Sequence, residues 1–182
     1  MKHLIIKKLL LLLMLVYALA GVAQTEVISE KYGLEKTCLK KKSVNKNNRY
    51  SYHHISEFCK LKDLELTNKI KQKSVDFSVF RNKDDGIKFR NEVLSTVNKI
   101  LSQHEINLLS ENQCNLFFAF YIDASYKTIM VEIVCNEELD DILTVRKLTK
   151  IIDKIKKKRL EGIIAIPKGN YIKLTIVRRY NA

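Results

Sequence analysis

The chain is 182 residues long, sets 33 Lys and Arg against 20 Asp and Glu, and carries a formal net charge of +13. At 46% hydrophobic residues, with one Pro and five Gly, it can bury a core, which excludes wholesale disorder, collagen-like repeats and proline or glycine spacers. The length suits one domain with appendages, and no motif in it names a reaction.

Residues 1–23 read as a secretory signal peptide. Lys2, Lys7 and Lys8 make a basic start, 9–16 is apolar, and Ala18-Leu19-Ala20 and Gly21-Val22-Ala23 each offer a small-residue cleavage site. The run 9–23 is 15 residues, short of the roughly 20 that cross a bilayer, so removal is expected rather than retention as an anchor. Cleavage takes three lysines and no acids, leaving +10, and no later apolar stretch is long enough to span a membrane. The expected location is the periplasm or the extracellular space.

Residues 24–83 form a basic segment of weak periodicity, expected to be loop-rich. Lys36, Lys40, Lys41, Lys42, Lys46 and Arg49 put six cations into fourteen residues, while Tyr50, Tyr52, Ile55 and Phe58 offer apolar anchors. The stretch 74–80 sets Val75, Phe77 and Val79 on one side, a short strand signal.

From Asp84 the signals sharpen. Asp84-Asp85-Gly86 can cap a helix over about 87–102, with Phe89, Val93, Val97, Ile100 and Leu101 as its apolar stripe, and 106–113 is a connection anchored by Leu108 and Leu109. Two strands follow, near 114–122 and 127–135. If Ile122 faces Lys127, then Phe120 faces Ile129, Phe118 faces Val131, Leu116 faces Ile133 and Cys114 faces Cys135; a one-residue slip would turn that whole set to the other face. Opposed residues lie about 4.5–5.5 Å apart, within disulfide range. Four cysteines in an exported chain point to two disulfides: Cys114–Cys135 on this register and, by elimination, Cys38–Cys59. The other reading makes Cys114 and Cys135 small buried hydrophobes. No C-x-x-C occurs, so thioredoxin-type and zinc-knuckle signatures are missing.

Asn136 can cap a second helix, with Glu137, Glu138, Asp140 and Asp141 at its start, Lys156, Lys157, Lys158 and Arg159 at its end, and Gly162 as the stop. An internal start at Thr144 instead leaves 137–143 as a loop. Val145, Leu148, Ile151, Ile152 and Ile155 share one face; Arg146, Lys147, Lys150, Lys154, Lys157 and Lys158 share the opposite one. After Pro167 and Gly169 a last strand turns Ile172, Leu174 and Ile176 inward and Tyr171, Lys173 and Thr175 outward.

Helix, strand, strand, helix, strand over 84–182 gives an α+β fold, a small antiparallel sheet with two amphipathic helices on one face. With FFAFYIDASYKTIMVEIV as the hairpin, the acidic-to-basic helix and YIKLTIVRRY as the closing strand, this region resembles the C-terminal domain of TonB-type proteins and their small exported relatives of unknown function. Ser125-Tyr126 stands where that family usually has a hairpin glycine, and its proline-rich spacer and retained anchor are missing, so energy transduction is not implied. The resemblance implies the fold and a habit of binding protein through a sheet edge.

The sequence holds no H-E-x-x-H, G-x-S-x-G, G-x-x-x-x-G-K-[ST] or G-x-G-x-x-G. His53 and His54 are adjacent and point to different sides, His104 reads as a helix-end residue, and the Asp84-Asp85 and Asp140-Asp141 pairs sit at helix starts. No catalytic residue, cofactor or metal is therefore assigned, and an enzyme is not expected. The basic face of the second helix is an electrostatic footprint for an anionic surface, weighed against plain solvation of a lysine-rich face. No aromatics interleave those cations, so no specific nucleic-acid signature is present. The expected function is an exported non-enzymatic binding module engaging an envelope protein or an anionic polymer. The alternative is a small exported hydrolase that gathers His53 or His54 with an acid and a nucleophile.

Overall fold

The structure, a computed structural model, describes residues 24–29, 31–39, 49–67, 69–73 and 79–180, with backbone alone at 24–26 and 37–39. The expected signal peptide, the lysines at 40–46 and most of the expected strand 74–80 lie outside those residues. The elements in chain order are β1 (Gln24–Ser29), β2 (Leu34–Leu39), β3 (Arg49–His54), α1 (Ile55–Leu66), β4 (Lys71–Gln72), α2 (Lys83–Ile100), α3 (Gln103–Glu111), β5 (Asn115–Asp123), β6 (Thr128–Cys135), α4 (Val145–Lys156) and β7 (Asn170–Arg179). The strands form one seven-stranded sheet in the order β1-β2-β3-β6-β5-β7-β4, antiparallel throughout except for β4 beside β7.

The α+β class stands, but the small sheet is corrected: β1, β2 and β3 extend it from a segment expected to be loop-rich. β2 and β3 show no apolar alternation because they bury polar groups. Leu34 and Tyr52 enter the main core, while Glu35, Ser51 and His53 are buried too. Lys36, expected on a solvated loop, is 7% exposed and pairs with Glu138 and Asp140.

One face of the sheet carries the main core. Phe89, Val93 and Val97 of α2 and Leu148, Ile151, Ile152 and Ile155 of α4 pack on Leu116, Phe118, Phe120, Ile122, Val131, Ile133, Ile172 and Ile176. Removing each such side chain from water contributes about 1.5–3 kcal/mol. The expected helices on one face are α2 and α4. The opposite face is covered as well: Leu61 of α1 packs with Ala119, Tyr121, Met130 and Tyr171. Tyr171, expected to point to solvent, is therefore 2% exposed.

Capping chemistry sets the helix ends. The Asn82 side chain accepts from the Asp84 N–H at 3.0 Å, so α2 begins a turn earlier than expected. The stretch 106–113 falls largely inside a helix, α3, started by a capping box in which Ser102 and Glu105 bond each other's backbone. Thr144 caps α4, the internal start, which leaves the acidic run 137–143 outside the helix, where Leu139 N–H donates to the buried Tyr52 hydroxyl at 2.7 Å. α4 ends at Lys156, and Gly162 (φ +66°) stands beyond its last turn rather than stopping it.

The hairpin register is two residues away from the expected one. Leu116 faces Cys135, Phe118 faces Ile133, Phe120 faces Val131, and a bulge precedes Ile122 opposite Thr128. The turn explains the first residue of slip. Asp123 Oδ1 accepts from the N–H groups of Ser125 and Lys127 at 2.9 and 3.0 Å, Asp123 N–H donates to the Lys127 carbonyl at 3.0 Å, and Tyr126 takes φ +61°. The bulge adds the second. Two slips restore parity, so the inward set survives except for Ile129, which joins the Tyr121–Met130 side. Cys114 thus precedes β5 and is not paired with Cys135 in the ladder.

Tyrosine in the left-handed region costs about 1–2 kcal/mol, which a glycine avoids at an entropic cost of about 0.5–1 kcal/mol. Tyr126→Gly is expected to raise the melting temperature by roughly 1–4 °C in thermal denaturation. A fall would show that ring contacts of this 42% exposed side chain outweigh the backbone strain.

Candidate functional site

The basic end of α4 opens onto a cleft of about 840 Å³. Lys156 closes the helix, and Lys157, Lys158 and Arg159 run off its end. The β5–β6 turn brings Tyr126 and Lys127 to the same cleft. Arg81 arrives from the approach to α2, fixed by its N–H donating to the Gly162 carbonyl at 2.7 Å and by the neighbouring Phe80–Ile163 bridge. Six cations therefore face one acid in the lining, Asp153.

Part of that charge is already matched. Lys156 pairs with Glu57 of α1 and donates to the Ile129 carbonyl at 3.1 Å, and Arg159 Nε lies 3.5 Å from an exposed Glu161 carboxylate. Asp153 accepts from His54 Nε2 at 3.0 Å. Arg81, Lys127, Lys157 and Lys158 have no ion-pair partner among the described residues. Cations at a helix C-terminus are stabilised by its dipole, which accounts for Lys156 and Lys157. It does not account for Arg81 and Lys127, which come from other elements.

The sequence-derived basic face divides. Lys157 and Lys158 line the cleft, whereas Arg146, Lys150 and Lys154 are exposed on α4 away from it. Lys147 leaves the face altogether and pairs with the buried Glu105 of α3. Burial raises that carboxyl, but hydrogen bonds from Lys147 and Ser102 outweigh it and hold it below the usual carboxylate range. Arg81, Tyr126 and Lys127 were missed, since Arg81 and the Tyr126–Lys127 pair lie far from each other and from the end of α4 in the sequence.

A second cluster lies under α1. Ser51 and His53 of β3, Glu35 of β2, Glu132 of β6, Tyr121 of β5 and Lys173 of β7 meet there. The Ser51 hydroxyl donates to Glu132 and stands 3.4 Å from His53 Nδ1, while His53 Nε2 lies 3.5 Å from Glu35. Tyr121 donates to Glu132 at 2.8 Å, Lys173 lies 3.2 Å from it, and the Phe58 ring covers His53 at 4.5 Å. Hydroxyl, imidazole and carboxylate are the groups a hydrolase would need. Here the hydroxyl is spent on a carboxylate rather than on the imidazole, and Ser51 and His53 are 4% and 2% exposed. The cluster cross-links four neighbouring strands and β7 from within. His104 is exposed in the first turn of α3. Among the described residues no group of three or more His, Cys, Asp or Glu is placed to hold a metal, and no helix is long and apolar enough to cross a membrane.

Burial pushes His53 below its ordinary value, although Glu132 and Glu35 pull it up and His54 adds to the fall. Between that lowered value and about 6.5 the unfolded chain binds the proton and the folded one does not. Stability from His53 is thus fully present above about pH 6.5 and is lost as pH falls below it, at up to about 1.4 kcal/mol per pH unit. Glu132 and Glu105, both held low, add a second loss only below about pH 4.5. Chemical denaturation of His53→Gln between pH 7 and 3 is expected to show the first slope gone and the second, below about pH 4.5, kept.

Cys59 is a free thiol exposed on α1, and the Cys38 side chain lies outside the described residues, its backbone pairing with Tyr50. Cys114 and Cys135 are free and fully buried, and each acts on the other so that the first thiol is raised and the second lowered; the Glu137 N–H also donates to Cys135 Sγ at 3.4 Å.

No protein-family model matches the chain, and no curated protein does. A crystal structure of a DUF5043 family protein from Bacteroides uniformis is similar to it, with a TM-score of 0.53 and 13% identity over 87% of this chain and 86% of that one. At that identity the likeness shows a shared fold alone.

Proposed function

We propose that the protein is an exported, non-enzymatic binding module that captures an anionic polymer in the cleft at the end of α4. The observation that carries this reading is the convergence of Arg81, Lys127, Lys157 and Lys158, without ion-pair partners among the described residues, from three separate elements around about 840 Å³. Like charges brought together repel, and a multivalent anion relieves that repulsion while gaining several contacts at once. The element order α2, α3, β5, β6, α4, β7, which is the expected order with α3 added after the first helix, supports keeping the TonB-C-like reading of 84–182 within this proposal. Titration of the chain from Gln24 onward with inorganic polyphosphate, followed by calorimetry, tests it. Binding that weakens steeply between 50 and 200 mM salt is the expected result, on the order of the losses seen for phosphate-binding proteins. No binding at the lower salt would overturn the proposal.

Removal of 1–23 and oxidation in the exported state belong to the same reading. The buried, interacting Cys114 and Cys135 exchange with an oxidised donor disulfide: each loses its proton, the pair forms one S–S bond, and two electrons reduce the donor to its dithiol. Non-reducing digestion of exported protein is expected to yield a linked Cys114–Cys135 peptide. Full alkylation of both cysteines after denaturation without reductant would rule the bond out.

A further inference from the structure

Across Lys156 from the cationic cleft lies a second recess, of about 260 Å³, between α1 and the first residues of β6. Its apolar lining is Leu61, Leu64 and Ile129, and it shares Lys127, Thr128 and Lys156 with the cleft as a common wall. We propose that the two form one bipartite site for an anionic amphiphile, a single alkyl or acyl chain ending in a phosphate. The proposal rests on the anion-binding reading of the cleft and names the class of ligand that the combined site takes.

The wall decides the arrangement. Lys156 is held by Glu57 and by the Ile129 carbonyl, so its charge is matched and its carbon stem forms a fixed partition. Lys127, with no ion-pair partner among the described residues, borders both spaces and can meet a headgroup whose chain turns into the recess. Leu64 is only half-buried on α1, so there is apolar surface left for a ligand to cover. At about 30 Å³ for a water-sized group, the recess takes roughly eight methylenes. The headgroup would gain Arg81, Lys157 and Lys158 from the cleft, and a phosphate carries enough oxygens to meet more than one of them. A purely hydrophilic polyanion fills the cleft and leaves the recess empty.

The test is a chain-length series on the wild-type chain, with ethyl, butyl, hexyl, octyl and dodecyl phosphate held below micelle formation. Affinity is expected to rise roughly fourfold per methylene, following the transfer free energy of that group, and to level off near octyl. Leu64→Gln is expected to abolish the rise while leaving polyphosphate affinity unchanged. Affinity independent of chain length, with polyphosphate still bound, would overturn this inference alone. Failure of both phosphate classes to bind would overturn the anion-binding reading as well. A rise that continues unchanged to dodecyl phosphate and survives Leu64→Gln would show that the chain packs elsewhere, and the bipartite site would be wrong.

Discussion

Reversing Lys127, Lys157 and Lys158 together to Glu is expected to weaken polyphosphate binding at least about 100-fold at low salt and to remove most of its salt dependence. The estimate takes roughly 1 kcal/mol for each charge contact, and reversal adds repulsion to each loss. The effect is large because these side chains have no ion-pair partner among the described residues and converge on one space. Stability should fall by no more than about 1–2 kcal/mol, the loss coming from the helix-dipole attraction given up at Lys157. The control is Arg146→Glu, Lys150→Glu and Lys154→Glu, the same charge change on the exposed flank of α4. Its expected effect is below about tenfold, arising from long-range attraction that salt screens within about 10 Å. Equal losses from the two triple variants would mean that binding follows overall charge and not the cleft, and a larger loss from the control would make the outer face of α4 the anion site.

Phe120→Ala is expected to destabilise the fold by about 3–5 kcal/mol. Phe120 is fully buried at the centre of the sheet, flanked in register by Val131 and Leu174, and meets Phe89 edge-on with ring centroids 5.2 Å apart. Strands on both sides and α2 above leave little freedom to collapse into the cavity, which places the cost toward the upper part of that range. In a chain of this size each kcal/mol lowers the melting temperature by about 2–4 °C. Urea titration should show a lower midpoint at unchanged slope. A loss under about 1 kcal/mol would mean that this face of the sheet is not the core.

The main core was readable from residue periodicity. Phe89, Val93 and Val97 recur at helical spacing, as do Leu148, Ile151, Ile152 and Ile155, and the alternation in 115–123 and 128–135 identifies the inward set. Each of these segments has one greasy side and one wet side, so local pattern and tertiary packing agree. The strands β2 and β3 carry no such signal. RYSYHH buries Tyr52 on one face and Ser51 and His53 on the other; Ser51 bonds Glu132, and His53 Nε2 stands 3.5 Å from Glu35 without a hydrogen bond, so these polar groups face the buried cluster rather than water. A sequence pattern that equates polar with exposed reads such a strand as a loop.

Composition, the helix faces, the α+β class and the inward residues of β5, β6 and β7 follow from the order of residues, because burial of apolar surface acts on each segment independently. Register was left to the fold: a two-residue slip keeps the side chains on their faces, Ile129 beside the bulge excepted, so alternation cannot tell the two pairings apart, and the Asp123 turn with the bulge at Tyr121 and Ile122 made the choice. The cleft was left to the fold as well. Lysines at the end of α4 were visible as a helical stripe, but Lys147 turned to Glu105, and Arg81 and Lys127 entered from segments that meet only when the sheet has formed. Charge acts through space between whichever groups the packed chain brings near, and a one-dimensional spacing carries no record of that distance.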